Sequence, residues 1–151
     1  MTTLGRRPLC FQTLDEVLAD ADRMAEGCTT VGRWSLSQIC QHLAATMRLA
    51  VATPASIQHD PSLKFSDDKV QEIFETATLP EGMSLPTVLS PPEPMADREA
   101  VALLREAITE YIGSDGPAAA HRFLGPLSKS QWNQLQLIHC AHHLSFAIAS
   151  R

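Results

Sequence analysis

Along this 151-residue chain, apolar residues recur at steps of three and four in four stretches. That is the spacing of amphipathic helices. The first stretch predicts a helix over about Leu14–Glu26, with Val17, Leu18, Ala21 and Met24 on one face. Thr13 and Glu16 form a capping box before it, and Gly27 supplies the stop. The second predicts a helix over about Leu36–Ala52, opened by Ser35 with Gln38 and ended by Pro54. Leu36, Ile39, Cys40, Leu43 and Met47 share its apolar face, and Arg48 is its one charge. A helix so poor in charge is expected to be buried on more than one side. The third helix is predicted over about Arg98–Ile112, capped by Asp97 and closed by Gly113. Its stripe is Val101, Leu104, Ile108 and Tyr111, and its other face is charged. The fourth runs over about Lys129–Ala149 from a third capping box, Ser128 with Gln131. Trp132, Leu135, His139, His143 and Phe146 mark its stripe.

More than forty residues separate helices two and three, and they hold most of the prolines, as in LPEGMSLPTVLSPPEP. A short helix fits about Asp68–Ala77, and the rest reads as extended. Adjacent antiparallel helices need no connection this long. It suits a crossover along a bundle that leaves helices two and three parallel and helix four reversed. Strand-like alternation, internal repeats and domain-scale linkers are absent from the pattern. The expected fold is a single all-α domain over 1–151, a four-helix bundle with a long Pro-rich crossover between helices two and three.

Composition narrows the picture. An apolar fraction of 44% and 151 residues suffice for one proper core. The formal charge is −5 and no stretch gathers Lys or Arg, which argues against a nucleic-acid surface. Nothing approaches the ~20 apolar residues of a membrane span, and the N-terminus lacks a signal-peptide pattern. Cys10, Cys28, Cys40 and Cys140 are scattered, so no disulfide framework is expected and the cytoplasm is the default location.

The candidate chemistry lies in IHCAHHLSF, residues 138–146. His139 and His143 are one helical turn apart and point the same way, as two imidazoles gripping one ion must. A third ligand has to come from elsewhere. His42 is the best candidate: it stands seven residues past Ser35, and His143 stands seven before Ser150. Both are then roughly 10 Å from a helix end, and they come level if helices two and four run antiparallel. His142 lies on a neighbouring face. It either replaces His143 or makes a supporting hydrogen bond. Gln38, one turn before His42, is placed to orient it or a bound water. His121 is a candidate for the pocket, and His59 is expected to be solvated.

WSLSQICQHLA in helix two together with HCAHHLSF in helix four resembles the DinB/YfiT-like superfamily. The likeness extends to LCFQTLDEVLAD, VGRWSLSQICQHLA and FLGPLSKSQWNQLQLIHCAHHLSF, and is strongest to a branch of uncharacterised domains. After the histidines the chain departs from better-known members, with HHLSFA where a Gly-Gln pair often follows. The resemblance implies an up-down-down-up bundle and a homodimer. It also implies a metal triad of His42, His139 and His143, and thiol-transfer or thiol-dependent isomerisation chemistry in some relatives.

Three neutral imidazoles suit a divalent metal ion such as zinc, nickel or iron and leave it an open position. A small molecule, a thiol among the candidates, is the expected substrate. Helices two and four would form the floor of the site, helices one and three its wall, and the crossover its mouth. Asp67 and Asp68 read as solvated rather than as a general base. Two classes stand side by side: a metal-dependent transferase or hydrolase, and a non-catalytic metal-stabilised or metal-free module, a binding or stress-related dimer.

Overall fold

The computed structural model describes residues 5–81 and 93–150. Its elements, in order, are α1 (Leu14–Ala25), β1 (Cys28–Thr30), α2 (Leu36–Ala52), α3 (Asp67–Thr76), α4 (Asp97–Gly113), α5 (Lys129–Leu144) and β2 (Ala147–Ala149), with a single 3-10 turn at Pro61–Leu63. The described chain is thus mostly helical, with one very small antiparallel sheet. Most of the proline-rich stretch expected to be extended, 79–94, lies outside the described residues. None of the described helices is long and apolar enough to cross a membrane.

Local chemistry accounts for the helix ends. Ser35 and Ser128 each accept from the backbone N–H three residues on, while Gln38 and Gln131 reach back to the cap N–H. Both are complete capping boxes. The box at α1 is half formed: Thr13 Oγ1 accepts from the Glu16 N–H, but the Glu16 carboxylate takes the N–H of Gln12. Asp97 does not cap α4. Ala96 holds the cap position with no side-chain hydrogen bond, and Asp97 is the first helical residue, where its charge faces the positive end of the helix.

Two expectations are overturned together. The predicted fourth helix stops at Leu144, not Ala149, and the residues beyond it form a strand. β2 pairs with β1 in the register Cys28↔Ala149, Thr29↔Ile148 and Thr30↔Ala147. The helix ends because its carbonyls find better partners elsewhere. Arg7 N–H donates to the Ser145 carbonyl at 2.8 Å, and Val31 N–H donates to that of Phe146 at 2.9 Å. Strands of three residues are too short to leave an alternating pattern, so their pairing is invisible in the sequence.

α1, α2, α4 and the C-terminal half of α5 enclose the main core, which includes Val17, Met24, Ile39, Leu43, Leu104, Ile108 and Leu144. A fully buried side chain of this size contributes about 1.5–3 kcal/mol. The α1 face that enters the core carries Asp20 beside Val17, Ala21 and Met24, whereas Leu18 is only partly buried. Asp20 is neutralised by Arg7, whose guanidinium donates to both carboxylate oxygens at 2.8 Å. A smaller core joins α3 to the N-terminal half of α5 through Ile73, Leu79, Leu124, Trp132, Leu135 and Ile138. α5 therefore spans both cores, with its histidines near the end that enters the main one.

Candidate metal centre

α2 and α5 bring three imidazoles together. His139 Nε2 lies 3.3 Å from His42 Nε2 and 3.1 Å from His143 Nε2. The ring planes are steeply inclined, at 65–77° to one another. His42 is 1% exposed, while His139 and His143 are partly exposed. Each ring offers one nitrogen to a common centre, and no described Cys, Asp or Glu joins them.

The arrangement fits a divalent ion. Two nitrogens sharing a tetrahedral ion at roughly 2.0–2.1 Å stand about 3.4 Å apart, close to the separations found here. His139 and His143 are also kept neutral, as ligands must be. Burial holds His139 and His143 well below the usual histidine range, and the charge that each neighbouring imidazole would carry adds to the effect.

The residues around the triad set its orientation. Trp34 stacks on His143 with ring centroids 5.2 Å apart and planes 4° from parallel. It also meets His42 edge-on at 4.9 Å. His142 is turned away from the common centre. Its Nδ1 lies 3.2 Å from Arg6 Nη2, so it accepts from the guanidinium, and it packs edge-on against His143 at 4.9 Å. Arg6 in turn holds Ser145 Oγ and pairs with Glu81 at 3.0 Å. Gln38 uses its side-chain carbonyl in the α2 cap and is not among the described residues that line the adjoining cavity.

That cavity, of about 550 Å³, opens against His42 and His139. Its walls differ from those expected. No described residue of α1 or α4 lines it; Thr53, Pro54, residues 57–59, Leu79 and the segment 119–124 do so, together with α2 and α5. The crossover does reach the site, through its first residues and Leu79. His59, expected in solvent, is partly buried against the Ala120 carbonyl and lines the cavity. His121 lines it too. Its Nδ1 accepts from the N–H groups of Phe123 and Leu124 at 3.0 and 3.1 Å, and burial pushes its pKa down to about 4. Asp67 is exposed in the first turn of α3 and pairs with Lys64.

Cys40 and Cys140 are buried free thiols in the main core. Burial pushes Cys40 up to about 12 and raises Cys140 further, which suits packing rather than nucleophilic chemistry.

Sequence reasoning had no role for Trp34 or Arg6. Trp34 stands just before the α2 cap, where the chain turns back across the helix, and that position was the available signal. Arg6 left none, because its partners lie at least 75 residues away.

Fold and site together define a mostly helical protein with a candidate three-histidine metal centre beside a cavity. The chain belongs to the family described as Protein of unknown function (DUF1569), whose model matches residues 4–149. No curated protein and no solved structure matches it.

Proposed function

We propose that this protein is a divalent-metal-dependent enzyme acting on a small molecule, as a thiol transferase or a hydrolase. The convergence of three Nε2 atoms at 3.1 and 3.3 Å carries the proposal. The cavity beside His42 and His139 supports turnover over a purely structural role, which would call for a fourth protein ligand and a closed site. His42, His139 and His143 would hold zinc, nickel or iron. When bound, such an ion supplies Lewis acidity that lets a thiol or water lose its proton near neutral pH. The chain's own part is to keep His139 and His143 neutral, to orient His143 through Trp34, and to enclose the substrate between α2, α5 and the 119–124 segment.

The same features support membership of the DinB/YfiT-like superfamily. In that reading α1, α2, α4 and α5 are the four members of an up-down-down-up bundle, and α3 belongs to the crossover. The free thiols fit a reducing compartment such as the cytoplasm. The homodimer implied by the resemblance is measured by light scattering of the purified chain.

Elemental analysis of protein purified without a metal-affinity tag tests the proposal. About one ion per chain is expected after zinc, nickel or iron is supplied. A ratio that stays near zero favours the alternative, a binding or stress-related module without turnover. His42→Ala should lower metal affinity by more than the roughly 10–100-fold typical of losing a supporting hydrogen bond. His59→Ala should leave it within about twofold of the parent, since His59 bonds Ala120 and not the triad.

A further inference from the structure

One wall of the cavity carries hydrogen-bond donors with nothing to donate to. Trp132 is 6% exposed, and its Nε1–H is buried without an acceptor. The Nε–H of Arg122 is in the same condition. Among the described residues Arg122 also has no carboxylate within ion-pair distance. His121 adds a third donor: its Nδ1 accepts two backbone N–H groups, so the ring proton of the neutral form sits on Nε2. All three residues line the one cavity.

The other walls are of opposite character. Leu49, Ile57, Leu79, Phe123 and Leu135 face the same space, and no described carboxylate lines it. A buried donor left unmet costs free energy. Arg122 is partly exposed and feels the charge of Asp60, but Asp60 lies beyond ion-pair distance and does not line the cavity. The cost of the unmet donors is relieved if a ligand brings the acceptor. Position along α5 sets the direction. Trp132 precedes His139 by seven residues, roughly 10 Å of helix. Trp132 therefore lies toward the end of the cavity away from the triad, and His121, 5.5 Å from the Trp132 ring, lies between them, near enough for its charge to act on His139.

We propose that the cavity takes an apolar monoanion: a hydrocarbon body bearing one carboxylate. The carboxylate meets the Arg122 guanidinium with His121 beside it, and a small turn of the Trp132 ring brings its enclosed Nε1–H to the same acceptor. The body lies on the apolar walls and extends toward His42 and His139. This names a substrate class for the proposed metal site. It rests on that proposal only for turnover, because the anchoring groups are independent of the metal ligands.

The test is calorimetric titration of the full-length, chelator-treated chain with octanoate and with octan-1-ol. Octanoate should bind at least tenfold more tightly than the alcohol. Trp132→Phe, which removes the N–H and keeps the ring, and Arg122→Gln, at a partly exposed position, should each weaken octanoate about tenfold. Each should weaken the alcohol by far less. Octanoate binding is read on the chelator-treated chain and metal binding by elemental analysis, so the two proposals can fail separately. Equal affinity for acid and alcohol, or binding of neither, overturns the inference. So does octanoate affinity that ignores both Arg122→Gln and Trp132→Phe.

Discussion

Trp34 lies nearly parallel to His143 and edge-on to His42, so one indole positions two of the three imidazoles. A well-placed aromatic pair contributes about 0.5–1.5 kcal/mol beyond its buried area. Trp34→Leu should therefore lower metal affinity roughly two- to tenfold, read by competition with a coloured chelator. Trp34→Phe should recover part of the loss. His121 makes a different prediction. In the fold it stays neutral down to about pH 4, whereas the unfolded chain takes up the same proton near pH 6.5. Between those values the unfolded state binds more protons, so stability falls as pH falls. The contribution is intact above about pH 6.5 and fully lost below about pH 4, with a loss on the order of 1–3 kcal/mol. Urea melts at pH 7.5 and 4.5 measure it, and His121→Asn should narrow the difference between them.

At the scale of elements, the end of α5 is held from outside. Arg7 clamps Asp20 of α1 and also donates to the carbonyls of Leu144 and Ala147. Removing one partner leaves a charge in a mostly buried place, where such a loss costs about 3–5 kcal/mol. Arg7 keeps some exposure, so Asp20→Ala should cost somewhat less, about 2–4 kcal/mol by chemical denaturation. Arg23, which also touches Asp20, lies largely in solvent, and Arg23→Ala should cost under about 1 kcal/mol. The capping boxes are local and were legible. Ser128 followed by Gln131 marked the start of α5 correctly, because a cap is satisfied within one turn of chain. The other end of α5 was not legible. The Leu144 carbonyl is taken by Arg7, and those of Ser145 and Phe146 just beyond it by Arg7 and Val31, more than a hundred residues away.

The whole molecule decides where the cavity lies. Its walls come from α2, the first residues after it, Leu79, the segment 119–124 and α5. Apolar spacing identifies which face of a helix is buried, but not which loop folds across its end. The walls were therefore assigned to the wrong helices, and His59 to solvent. The triad met despite a miscounted helix. The level match between His42 and His143 assumed a helix reaching Ala149, yet the helix ends one residue after His143. The contact depends on which faces α2 and α5 turn to each other, and not on the distance to a frayed terminus.

From the sequence alone came the positions of the main helices, most of their caps, the one-turn spacing of His139 and His143, and the buried character of Cys40 and Cys140. All are set by interactions within a few residues, or by a hydrophobic period that repeats along one segment. Tertiary structure decided the strand pairing beyond Leu144, the turning of His142 toward Arg6, the stacking of Trp34 and the donor-lined cavity. Each joins groups far apart in the chain. Their proximity depends on how whole elements pack, and no local pattern of residues records it.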